Sequence, residues 1–149
     1  MTRDEAIGRR ILWILMAIGA ATLVAAAALG ADPAAAKKAA EESAKSWLAL
    51  VDGGAYDESW SAAATMFRNA TSQAKWRAAI AGARGSFGKL VSRKLQSARY
   101  TRTLPGAPDG EYVVLRYVAS FEHKKEALET VTPMKDDDGV WRVSGYFVR

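Results

Sequence analysis

Between residues 33 and 84 apolar side chains recur every three or four positions, and from Lys89 onward they alternate. The first pattern predicts helices with one buried stripe, the second strands with one buried face. A helix is expected from Pro33 through AAAKKAAEESAKSWLALV, with Ala40, Ala44, Trp47, Leu48 and Val51 inward, Glu41 and Lys45 paired on the wet side, and Gly53-Gly54 as its stop. A second helix is expected over about 57–69, with Trp60, Ala63, Ala64 and Phe67 on one face. A third is expected over 73–84, capped by Thr71-Ser72, with Trp76, Ala79, Ile80 and Ala83 inward. Four strands follow, about 90–103, 111–122, 127–135 and 140–148. They are separated by the turn-rich PGAPDG loop, a short turn at His123-Lys124-Lys125, and the Asp136-Asp137-Asp138-Gly139 hairpin.

Placing Lys135 opposite Val140 and Glu122 opposite Ala127 sets Val113, Leu115, Tyr117, Ala119, Phe121, Leu128, Thr132, Met134, Trp141, Val143, Gly145 and Phe147 on one buried face. The fold class is then α+β, three helices on one side of a curved four-stranded antiparallel sheet. The opposite face would show Tyr112, Val114, Val118, Val131, Tyr146 and Val148, a partly apolar patch that suits a sheet-to-sheet homodimer. Glu129, Arg142 and Tyr146 would share that outer face as a polar cluster.

Ahead of this domain (32–149) lies a different kind of segment (1–31). Arg3, Arg9 and Arg10 precede Ile11–Ala31, a run of 21 residues without a charge, which small residues close at Ala28-Leu29-Gly30. This is the pattern of a secretory signal cleaved after Gly30 or Ala31, or of an uncleaved membrane anchor. Either places the domain outside the cytoplasm, in the periplasm or secreted, with Arg9 and Arg10 held inside. Arg9-Arg10 hints at twin-arginine export without the rest of that pattern.

Composition narrows the chemistry. The chain has no cysteine and one histidine among 149 residues. Disulfides, thiolate zinc, cysteine nucleophiles and multi-histidine metal centres are therefore excluded. His123 falls at a hairpin tip beside lysines, where an imidazole is neither buried nor oriented, so no Ser-His-Asp set is drawn. The aspartate run lacks the spaced ligands and distal glutamate of a calcium loop and reads as a turn. No catalytic residue, metal site or cofactor is expected. Trp47, Tyr56, Trp60, Phe67 and Trp76 suit a core, and equally the walls of a pocket.

The net charge of +5 is unevenly spread. From Arg68 to Arg102 there are nine basic residues and no acidic one, whereas 31–67 carries −3 and 103–149 carries −2. Arg77, Arg84, Arg93, Lys94, Arg99 and Arg102 are thus candidates for an anionic-partner surface. For an exported domain the partner would be anionic lipid, cell-wall polymer or an acidic protein rather than nucleic acid. Strict alternation puts Arg93 with Arg99 and Lys94 with Arg102 on opposite sides of the strand, unless a bulge intervenes. A solvated face without a ligand, an envelope protein with a purely structural role and a small enzyme using a carboxylate or tyrosine remain alternatives to a binding domain.

The segments WLALVDGGAYDESW (47–60), WRAAIAGARGSFGKLVSRKL (76–95), LPGAPDGEYVVLRY (104–117) and ETVTPMKDDDGVWRVSGYFVR (129–149) resemble bacterial domain-of-unknown-function family 4019. PGAPDGEY and GVWRVSGY are the most specific stretches. The resemblance implies a small exported protein and carries over no catalytic motif. The order of helices and then sheet, with a closing tryptophan strand, also resembles the nuclear-transport-factor-2-like superfamily. That resemblance implies a conical sheet around the helices, with a pocket in many members.

Overall fold

A computed structural model describes residues 31–149. The expected signal or anchor falls almost wholly outside the described residues. Among the described residues no helix is long and apolar enough to cross a membrane. Residues Pro33–Arg149 form one compact unit.

Helix α1 spans Pro33–Asp52 and buries Ala36, Ala40, Ala44, Trp47, Leu48 and Val51. The alanines bring the sheet close to the helix axis at its start, and the larger residues fill the space at its end. Gly53 and Gly54 close it: their N–H groups donate to Ala49 and Val51 carbonyls, and Gly54 turns at φ +75°. The second expected helix is two short ones, α2 (Tyr56–Ser61) and α3 (Thr65–Ala70). The break needs neither glycine nor proline. Ala63 and Ala64 are fully buried, and the Ala64 N–H donates to the Val143 carbonyl of the sheet at 2.8 Å, which draws the backbone to ψ 152°. The side chain of Asp136 then accepts from the Thr65 N–H at 3.2 Å, so the aspartate turn caps α3. Helix α4 runs Gln73–Arg84 with Ser72 Oγ accepting from the Lys75 N–H. Its buried stripe is Trp76, Ile80 and Arg84, while Ala79 and Ala83, expected inward, are exposed.

Strands β1 (Leu90–Thr101), β2 (Tyr112–Phe121), β3 (Lys124–Lys135) and β4 (Trp141–Val148) form one antiparallel sheet in sequence order. The α+β class with helices preceding a four-stranded sheet is therefore as expected; the register is not. The β2–β3 hairpin turns on Glu122-His123, pairing Phe121 with Lys124, and farther along Leu115 meets Val131 rather than Met134. That slip of three residues inverts β3. Ala127, Glu129, Val131 and Pro133 face the helices, and Leu128 is exposed. A shift between Thr132 and Pro133 then sets Val131 opposite Tyr146, so Tyr146 and Val148 turn inward and Phe147 outward. Tyr112 is buried too, its hydroxyl donating to the Pro108 carbonyl at 2.6 Å. Of the six residues expected on an open outer face, Val114 and Val118 remain there.

Candidate functional site

Inverting β3 carries a charge into the interior. The Glu129 carboxyl is fully buried and sits opposite Arg93, which donates from Nε to Oε2 at 2.6 Å and from Nη2 to Oε1 at 3.1 Å. The same guanidinium donates to both Asp52 oxygens, at 2.7 and 2.9 Å. Arg84, 95 % buried at the side chain, donates to Asp52 at 2.8 Å and stacks 4.4 Å above the Phe121 ring. The Tyr146 hydroxyl closes the set by donating to Glu129 Oε1 at 2.6 Å. Two carboxyls thus answer two guanidiniums, and the charge cancels.

Electrostatics follow from that pairing. Burial pushes the Asp52 carboxyl up, but hydrogen bonds from Arg93 and Arg84 outweigh it and hold it below its usual range. Burial works against both guanidiniums, and their carboxyl partners overcome it and raise them. Burial, and then Glu129, drives the Tyr146 phenol up, so it stays protonated. Nothing in this network is left free to act as base or nucleophile. It is an internal clasp joining the end of α1, the end of α4, β1, β3 and β4.

The five aromatics lie mainly in packing. Trp47 and Trp76 are buried, their indole N–H groups satisfied by the Ser59 carbonyl (2.8 Å) and Ser59 Oγ (2.9 Å). Trp60 donates to the Thr71 carbonyl, and Phe67 meets Trp76 edge-on at 5.1 Å. Tyr56 packs against the same core and also borders a shallow surface cleft with Asp57 and Arg77. Trp47, Trp76 and Tyr146 pack ring against ring in the interior, with centroids 5.4 to 6.4 Å apart. A cleft of about 330 Å³ remains between α1 and β1, lined by Glu41, Lys45, Leu48, Arg93, Leu95 and Tyr117. Burial, and then Glu41, pushes the Tyr117 phenol up to about 12, which makes it a donor and not a base.

The expected basic surface divides. Arg77 is bound to Asp57 at 2.6 Å, and Arg84 and Arg93 are interior. Lys94, Arg99 and Arg102 are exposed. Register shifts between Leu90 and Ser92 and between Leu95 and Ser97 change which residues share a side. Lys94 pairs with Val118 and Arg99 with Val114, both on the outer face, while Arg93 points in. A bulge therefore unites two cations that strict alternation separates from each other.

The outer face holds two further cations that the sequence reading missed, Arg116 and Arg149, both exposed. Across the sheet one row reads Lys94, Val118, Leu128, Arg149, the last two exchanging backbone hydrogen bonds at 2.9 and 3.1 Å. The next reads Ser97, Arg116, Thr130, Phe147. Among the described residues none of Lys94, Arg99, Arg116 and Arg149 has a carboxylate partner, whereas Arg142, at the β4 end, is held by Asp136 and Asp138. Leu128 and Phe147 are 39 % and 59 % exposed. Gln96, Arg116, Leu128, Thr130, Phe147 and Arg149 border a concavity of about 250 Å³ on this face. The Glu129 side chain does not reach it, being fully buried on the other side. His123 lies exposed in its hairpin turn, and the aspartate run caps α3 and holds Arg142.

Residues 43–146 match the family described as "Protein of unknown function (DUF4019)". No curated protein and no solved structure matches the chain.

Proposed function

The chain belongs to the DUF4019 family, and we propose that its domain is a non-catalytic binding module, working outside the cytoplasm, that meets an anionic partner on the outward face of its sheet. One observation carries this reading: the interior ionisable groups neutralise one another, while Lys94, Arg99, Arg116 and Arg149 stand together on one face with no carboxylate partner among the described residues. Uncompensated cations on one face raise the local concentration of an anionic partner and its rate of encounter. The export element of the reading rests on the charged start and the apolar Ile11–Ala31 run. A small nuclear-transport-factor-2-like cone is in keeping with the order of elements and with the bulges in β1 and β4, which bend strands as such a cone requires.

A second reading, a small-molecule site or pocket enzyme, draws on the α1–β1 cleft. Tyr117 would serve there as a hydrogen-bond donor between Leu48 and Leu95. The two readings separate in one titration. Soluble polyglutamate added to the isotope-labelled domain should shift amide resonances of Lys94, Arg116 and Arg149 on the outer face and leave those of Glu41, Lys45 and Leu48 on the α1 side of the cleft in place. No shift on the outer face at low salt would remove the first reading.

A further inference from the structure

The outer face is not simply cationic. Val118 and Leu128 lie mid-row between Lys94 and Arg149, and Phe147 stands beside Arg116 and Thr130. Because β1 and β4 are the two edges of the sheet, the first row carries its charges at the edges with Val118 and Leu128 between them, while the second sets Arg116 on a central strand and Phe147 on an edge, so cations and exposed apolar groups alternate across the face. Glu126, the acid nearest these positions on β3, lies toward the β2–β3 turn, at φ 56°. The exposed Leu128 and Phe147 ask for an apolar phase, and the interleaved cations for negative charge beside it. A soluble polyanion satisfies the cations and leaves Leu128 and Phe147 in water. A second copy of the same face would set like charges against each other. An anionic bilayer satisfies both, as it does for interfacial amphipathic surfaces in general.

We infer that the outer sheet face docks on a bilayer containing anionic phospholipid, with Arg116 and Arg149 taking a headgroup phosphate in the concavity they border and Leu128 and Phe147 entering the acyl boundary. Gln96 and Thr130 line the same concavity with groups able to hydrogen-bond a phosphodiester. This rests on the reading of the face as an anionic-partner surface and narrows it to one partner.

The test uses residues 32–149, which contain the compact unit Pro33–Arg149 and the whole of the core described above. Since the chain lacks cysteine, a polarity-sensitive dye is placed at Ser97→Cys on the outer face or, as control, at Ser46→Cys on the exposed side of α1. Vesicles of phosphatidylcholine alone, and of phosphatidylcholine with phosphatidylglycerol, are titrated at low and moderate salt. Binding is expected with phosphatidylglycerol only, with a blue shift at position 97 and none at 46, weakening as salt rises. The triple variant K94Q/R116Q/R149Q should lose on the order of a hundredfold in partitioning, about fivefold per cation removed. Phe147→Ser should weaken vesicle binding and leave polyglutamate binding unchanged. These substitutions are at exposed positions, and an unchanged thermal melt confirms that the variants fold. Equal binding to both vesicle types, a shift at 46 instead of 97, or saturation by inorganic phosphate without vesicles overturns the inference. If polyglutamate binds and phosphatidylglycerol vesicles do not, the docking inference fails and the wider anionic-partner reading stands. If neither binds, both fail.

Discussion

At the scale of single residues, the interior is governed by Glu129 and Asp52 more than by any apolar side chain. A buried carboxyl with one partner removed is expensive, and breaking a buried ion pair costs about 3–5 kcal/mol. Asp52 is the member whose state depends on pH in an accessible range. Burial raises its carboxyl and the two guanidiniums lower it further, so its folded value lies below the ordinary 3.8. A depressed folded value stabilises the fold above the unfolded value and is lost as pH falls through the folded one. Asp52→Asn should therefore destabilise the domain by about 3 kcal/mol at neutral pH, with the difference from wild type narrowing below about pH 4. Urea melts of both proteins between pH 7 and pH 3 measure this. A gap that stays constant across that range would show that Asp52 acts by packing and not by charge. Sequence reading grouped Glu129 with Tyr146 and Arg142 but placed them on the outer face, because its register had β3 the other way round; the structure keeps Glu129 with Tyr146, inside, and leaves Arg142 with the aspartate turn. The signal was nonetheless there: Glu129 stands two residues from both Ala127 and Val131, which share one side of β3.

At the scale of elements, the helices were legible and the strand pairings were not. The three- and four-residue spacing in α1 identifies its buried stripe, and Ser72 caps α4 as its side chain allows. The break between α2 and α3 left no trace in the sequence because a tertiary bond, Ala64 to Val143, makes it. The β2–β3 register depends on a two-residue turn at Glu122-His123, where no glycine or asparagine announces it. What fixes that turn is the connection from α4. Lys89 N–H donates to the Glu122 side chain at 3.0 Å, His123 N–H to the Phe87 carbonyl at 2.8 Å, and Glu122 N–H to the Lys89 carbonyl at 2.9 Å. Gly88 lies at the centre of this clasp with φ +75°, where a Cβ would come within 2.9 Å of the Glu122 Cβ. Gly88→Ala thus combines a left-handed backbone with a clash, and a loss of about 2–3 kcal/mol is expected. Gly106→Ala, at φ +77° with nothing within 4 Å, isolates the backbone part and should cost less, about 1 kcal/mol. Equal losses for the two in chemical denaturation would mean that the α4–β1 connection is not clamped to the hairpin.

At the scale of the whole molecule, one sheet separates two chemistries: a charge-neutral interior facing the helices, and a cationic face interleaved with exposed apolar groups. The class and the order of elements were readable because they depend on periodicity. Which residues face outward was not, because it depends on a three-residue slip and four register shifts that periodicity does not encode. The consequence reaches assembly. With Tyr112 buried and Val131, Tyr146 and Val148 turned inward, a sheet-to-sheet dimer loses four of the six apolar groups expected to drive it and meets Lys94, Arg99, Arg116 and Arg149 from both sides. Like charges facing each other in an interface oppose association, and salt screens that opposition. Residues 32–149 should therefore sediment as a monomer at low ionic strength. A variant with Lys94→Glu, Arg99→Glu, Arg116→Glu and Arg149→Glu sets like negative charges against each other and should likewise be monomeric alone. Mixed with wild type it meets opposite charge, so a hetero-association at low salt that disappears at high salt is the expected signature of this face. Analytical ultracentrifugation of the two proteins, separately and mixed, decides the matter. A wild-type dimer already present at low salt, and dissociated by Leu128→Ser, would show that the exposed apolar groups prevail over the cations around them.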